Sequence, residues 1–172
     1  PNTVAGAVRA AISLRPEIIN VHAAGGRAMM AAARDASAAE SQRLGVEKPL
    51  VFGVTVLTSL DSVDLADIGV CGHPVDQVKR MAALTQESGL DGVVCSASEV
   101  QPLRVQCGPA FKILTPGIRP SWAVAGDQKR VVTPVDAVAL GSDYLVIGRP
   151  ITGADDPAAA ARRIGEELTD AG

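Results

Sequence analysis

The chain has 172 residues, 47% of them hydrophobic and only 2% aromatic, with a formal net charge of −3. That length suits one domain with a sizeable core, and the core must be aliphatic. The acidic balance argues against nucleic acid as a bulk partner and no apolar run reaches membrane-spanning length, while Cys71, Cys95 and Cys107 lack metal-ligand spacing and read as reduced thiols of a cytoplasmic protein.

In chain order, Asn2 or Thr3 is placed to cap a helix whose apolar positions Val4, Val8, Ala11 and Ile12 keep helical spacing, with Arg15-Pro16 as its stop. A short strand, Ile18–His22, ends in Ala-Ala-Gly-Gly26. An Ala-rich helix over 27–43 follows and closes at Gly45. The run Leu50–Val56 is continuously apolar, as in a strand buried on both faces. Asp61–Ile68 is a short helix stopped by Gly69, and Pro74–Ser88 an amphipathic one ending at Gly89. Gly92–Cys95 is a strand, and Ser96-Ala-Ser-Glu99 has the form of a capping box. Lys112–Thr115 is the next strand, Pro134–Leu140 a helix closed by Gly141, and Tyr144–Ile147 the last strand. Asp155-Asp156-Pro157 starts a final helix through Leu168.

Five strands alternating with helices predict a parallel sheet, hence an α/β fold. No linker or low-complexity stretch divides residues 1–172, so a single domain is expected. Two last strands each release a glycine and an arginine: Gly117 and Arg119 after the first, Gly148 and Arg149 after the second. Glycine lets a backbone approach an anion, and a planar guanidinium fork suits phosphate oxygens. Between them runs a long loop with Asp127, Gln128, Lys129 and Arg130. A phosphate site after the last two strands is a barrel feature, and no Gly-x-Gly-x-x-Gly follows the first strand. A complete eight-fold barrel needs about 250 residues, so about three βα units are not represented.

His22-Ala-Ala-Gly-Gly26, Val54-Thr-Val-Leu-Thr-Ser59, Leu90-Asp-Gly-Val-Val-Cys-Ser96, Thr115-Pro-Gly-Ile-Arg119, Gly126-Asp-Gln128 and Val146-Ile-Gly-Arg-Pro150 stand in this order. Together they resemble orotidine 5'-phosphate decarboxylase of the bacterial type, over nearly the whole chain. The resemblance implies a TIM (β/α)8 barrel, of which this chain supplies roughly the last five βα units. It implies cofactor-free decarboxylation of orotidine 5'-monophosphate to uridine 5'-monophosphate in pyrimidine biosynthesis. It also implies that the catalytic Asp-x-Lys-x-x-Asp motif belongs immediately before Pro1. No catalytic residue is then expected in this chain, which is predicted inactive alone.

On that resemblance, Arg149, the Gly148 backbone and Arg119 clasp the phosphate. Gln128 bridges phosphate and base, Thr58 bonds the pyrimidine amide edge, with Ser59 the weaker candidate, and Pro116 and Ile118 line the pyrimidine pocket. Thr3 reaches the ribose in a partner subunit, so a homodimer is implied. Each has a plainer alternative: a surface ion pair for either arginine, a solvated loop residue for Gln128, a hydroxyl bonded to local backbone for Thr58, core packing for Pro116 and Ile118, a helix cap for Thr3. His22 reads as a satisfied structural group, His73 as solvated, and Asp91 as a turn-former. No metal or cofactor site is expected. Two competing readings remain: a sugar-phosphate decarboxylase or aldolase of the same suprafamily, and a non-catalytic phosphate-binding module.

Overall fold

The computed structural model describes residues 1–123 and 132–170. Gln128, with Asp127, Lys129 and Arg130, lies outside the described residues. Strands β1 (Ile18–His22), β2 (Leu50–Val54), β3 (Gly92–Val94), β4 (Lys112–Pro116) and β5 (Tyr144–Val146) form one sheet, all pairs parallel, in the order 1-2-3-4-5. Sequential order has no reversal point, which a doubly wound open sheet requires. Every strand expected from the sequence is present.

The sheet is curled. Phe52 of β2 and Tyr144 of β5 meet edge to face with ring centroids 5.9 Å apart, although β3 and β4 run between their strands. Side chains stand perpendicular to a sheet, so on a flat one these rings would lie about 14 Å apart. Gly92 of β3 makes the curl possible. A Cβ there would stand 2.6 Å from the Phe52 ring and 2.3 Å from the Lys112 carbonyl oxygen. Alternation then sorts the strands: Phe52, Gly92, Leu114 and Tyr144 face the concave side, while Val51, Val93 and Ile113 pack under the helices.

Helices α1 (Asn2–Ile12), α2 (Gly26–Leu44) and α4 (Pro74–Glu87) cover β1 and β2 through Val8, Met30, Ala33, Val51 and Met81. Helices α4 and α5 (Val100–Cys107) cover β3 and β4 through Val78, Val93, Val100, Leu103 and Ile113. Each fully buried Val, Leu or Ile contributes about 1.5–3 kcal/mol, so a mainly aliphatic core, with Phe52 and Phe111 as its buried aromatics, suffices. The short helix α3 (Ser62–Asp67) is held by the Asp61 carboxylate, which accepts from the amides of Val63 at 2.7 Å and Asp64 at 3.1 Å, while Asp64 accepts from the Asp61 amide. Helix α6 (Pro134–Ala139) starts on Thr133, and α8 (Pro157–Asp170) closes the described chain.

Three expectations are corrected. Neither Asn2 nor Thr3 caps α1: the Pro1 carbonyl accepts from the Ala5 amide at 2.9 Å, which draws both residues inside the first turn. β2 ends at Val54, because the Thr55 hydroxyl bonds the Val94 carbonyl at 2.8 Å and its amide bonds the same oxygen, after which the chain departs. Asp91 does not merely shape a turn; it accepts from the Val51 amide at 2.7 Å and from Lys48 at 3.1 Å, strapping β2 to the start of β3.

Candidate functional site

All five strands are parallel, so their C-terminal ends share one rim, where the phosphate-type residues were expected. Pro116 pairs with Val146 in the β4–β5 register. Arg119 and Arg149 each stand three residues beyond that level, on neighbouring strand exits at the same end of the sheet. The Pro116-Gly117 step releases the first of them: Gly117 has φ 78, a left-handed backbone that glycine adopts without strain. The Arg119 amide then donates to the Val132 carbonyl at 3.0 Å, and Ile118 bridges Val132. Arg119 is recessed, only 5% exposed. Arg149 is exposed and opens a one-turn helix, α7 (Arg149–Thr152), which the sequence reading missed; Pro150 in its first turn was the available signal.

Gly148 precedes Arg149 with φ −94, and among the described residues no atom beyond its chain neighbours lies within 4 Å of where a Cβ would stand. The Gly148 ψ of −99 lies outside the broad α and β regions open to residues with a Cβ, which accounts for glycine there.

Thr58 and Ser59 are the central residues of a turn closed by the Leu60 amide on the Leu57 carbonyl at 3.0 Å. Both are exposed, and among the described residues neither hydroxyl bonds the local backbone, so the plainer alternative for Thr58 is not observed. Ile118 resolves to core: at 2% exposure it packs with Ala97 and Ala137 under the helices. Pro116 is half-buried at the last position of β4, on the concave side opposite Thr115, whose hydroxyl bonds Ser142 among the buried groups. Thr3 is exposed in the first turn of α1, and its neighbours Val4 and Ala5 pack on the cluster containing Ala23, which follows the C-terminal end of β1. His22 is exposed at the same rim, and no hydrogen bond involves its imidazole among the described residues, which corrects its reading as a satisfied group.

Cys95 leaves β3 at this rim but offers no nucleophile. Burial, reinforced by the negative charge of Glu99, pushes its thiol up to about 12, and the thiolate is what reacts. Burial also raises the Glu99 carboxyl, against the opposing bonds it accepts from Ser96. The three cysteines are unpaired. Among the described residues no group of three His, Cys, Asp or Glu could hold a metal ion, and no helix is long and apolar enough to cross a membrane.

A contact that sequence spacing could not reveal ties the segment after Arg119 to α8. The Trp122 indole N–H, three residues past Arg119, donates to the Glu167 carboxylate of α8 at 2.6 Å, and the Arg163 guanidinium lies 4.4 Å from the indole centroid.

Known proteins share this sequence and fold. The family model described as orotidine 5'-phosphate decarboxylase / HUMPS family matches residues 1–164. The orotidine 5'-phosphate decarboxylase of Rhodospirillum rubrum is 60% identical over 168 residues, covering 98% of this chain and 68% of that protein. The protein of the same name from Paramagnetospirillum magneticum is 54% identical, with 98% and 72% covered. Among solved structures, orotidine 5'-phosphate decarboxylase from Lactobacillus acidophilus superposes with a TM-score of 0.85 at 37% identity, over 98% of this chain and 70% of that one. A parallel, singly wound α/β sheet bearing glycine and arginine at its last two strand exits, matched over nearly its whole length, belongs to the orotidine 5'-phosphate decarboxylase / HUMPS family.

Proposed function

We propose that this protein acts in the decarboxylation of orotidine 5'-monophosphate to uridine 5'-monophosphate, and that residues 1–172 form one domain, the C-terminal portion of a TIM barrel, carrying the phosphate- and pyrimidine-binding half of the site. The paired exits of Arg119 and Arg149, at equal distance past one register level, carry this reading. Arg149 grips the phosphate from the open side with the Gly148 backbone, and Arg119 adds fixed positive charge from below. Thr58 bonds the pyrimidine edge, Pro116 walls the concave side beneath it, and Gln128 bridges base and phosphate. Thr3 reaches a second subunit's nucleotide in a cytoplasmic homodimer. The site takes a nucleotide rather than nucleic acid and works without cofactor.

The phosphate is remote from the bond that breaks, and gripping it anchors the nucleotide alike in ground and transition states, a contribution that shows in KM. The chain contains no Asp-x-Lys-x-x-Asp sequence, so protonation of the ring carbon is assigned to none of its residues. The test has two arms. Uridine 5'-monophosphate titrated calorimetrically into the full-length protein binds saturably, and Arg149→Ala weakens the binding about a hundredfold; undiminished affinity would sink the phosphate assignment. The 172 residues alone release no carbon dioxide from the substrate, and turnover returns once the motif is supplied ahead of Pro1. Turnover by the chain alone overturns the division into halves.

A further inference from the structure

We propose that Trp122, Glu167 and Arg163 form a positioning clasp that sets the spacing of the two phosphate arginines; this rests on the reading of Arg119 and Arg149 as the phosphate grip. The loop leaving β4 carries Arg119 and then Trp122, where the Ala123 amide closes a turn on the Pro120 carbonyl at 3.0 Å. The exit of β5 carries Arg149 as the first residue of α7, and α7 packs on α8. Trp122 is fastened to α8 from two sides: its N–H donates to Glu167 at 2.6 Å, and Arg163 stacks over its ring at 4.4 Å. Arg163 and Glu167, one helical turn apart, lie 3.8 Å from each other, so indole, carboxylate and guanidinium close a three-membered set.

The partners are ordered strongly enough to matter. A charge-assisted bond from a half-buried indole to a carboxylate is directional, and the cation over the ring face restrains the remaining freedom of the indole. Helix α8 therefore holds the Arg119 exit through Trp122 and the Arg149 exit through α7. A fork that must meet phosphate oxygens within a few tenths of an ångström gains from such pre-organisation. None of the three residues needs to touch the ligand. They are positioning residues, and their effect falls on binding of the phosphate group rather than on the bond-breaking step.

The test uses the full-length, turning-over protein with orotidine 5'-monophosphate as substrate. Trp122→Phe and Glu167→Ala each raise KM about tenfold while kcat stays within about twofold and the melting temperature is unchanged. Glu167→Gln, which keeps an acceptor oxygen for the indole N–H, holds KM within about twofold of the parent. A matched fall in kcat and melting temperature, an unchanged KM in Trp122→Phe, or a Gln variant as impaired as the Ala variant each overturns the clasp. Arg149→Ala separates the two claims. If it weakens uridine 5'-monophosphate binding about a hundredfold while the clasp variants bind normally, the phosphate grip stands and the clasp falls. If the parent itself does not bind the nucleotide, both fall.

Discussion

The two rims of this sheet use arginine in opposite ways. At the N-terminal rim Arg104 is consumed by structure: it donates to the Gly141 carbonyl at 2.7 and 2.9 Å, to the Phe111 carbonyl, and to Asp143. Asp143 in turn accepts from the Ile113 amide at 2.8 Å and from Lys112 at 3.1 Å, as Asp91 does from Val51 and Lys48 two strands earlier. At the C-terminal rim the arginines follow glycines, one recessed and one exposed, and Thr58 and Ser59, beyond β2, present hydroxyls without local partners among the described residues. One end ties strands together, and the other carries the two glycine-arginine exits. That division is the one expected of barrels, where residues at the N-terminal face serve stability and those at the C-terminal face serve chemistry.

The comparison breaks most sharply at Arg149. Arg149→Ala is expected to weaken uridine 5'-monophosphate binding about a hundredfold, roughly 3 kcal/mol, with no change in thermal unfolding. A lowered melting temperature instead would make this arginine structural, like Arg104. The opposite signature is expected at the other rim, where Asp143→Ala strands the Ile113 amide and two cations and lowers stability by about 2–4 kcal/mol, read from urea unfolding, with nucleotide affinity retained.

Acid sharpens the same contrast. Burial pushes the Asp143 carboxyl up, but the Ile113 amide, Arg104 and Lys112 overcome it and hold it below its ordinary 3.8. A group depressed in the folded state stabilises fully above its unfolded value and stops doing so as pH falls through the folded one. The parent protein should therefore lose stability as pH drops below about 4, and Asp143→Ala should show a shallower loss there. Equal acid sensitivity in the two would remove Asp143 from the account.

Gly92→Ala tests the curl on which the shared rim depends. The added methyl meets a backbone oxygen that cannot move aside, and a cost of about 1–3 kcal/mol is expected from chemical denaturation. The smallest effect falls on Thr58→Val, about 1 kcal/mol or fivefold in nucleotide affinity by calorimetry, with stability unchanged. No loss of affinity would return its hydroxyl to solvent.

The strands and most helix boundaries were legible because each is a local pattern: continuous apolar runs for strands buried on both faces, proline at helix starts, glycine at helix ends. The Ser96–Glu99 capping box reads off four residues and is present, with the Ser96 amide donating to Glu99 at 2.8 Å. The pairing of Arg119 with Arg149 was legible too, since equal motifs after successive parallel strands must emerge side by side. Less visible were the fates of individual side chains. Ile118 and Pro116 differ by two positions, yet one is core and the other walls the concave side, because strand exit, not composition, turns them.

By itself the sequence determined the α/β class, the number of strands, and the end of the sheet where Arg119 and Arg149 emerge, since alternation and strand-end patterns are short-range. Tertiary structure alone decided that the sheet curls until Phe52 meets Tyr144, that Asp91 and Asp143 strap neighbouring strands, and that Trp122 is pinned to a helix whose partner residue lies 45 positions away. Those contacts join residues far apart in the chain, and no periodicity along it records which of them will come within bonding distance once the layers pack.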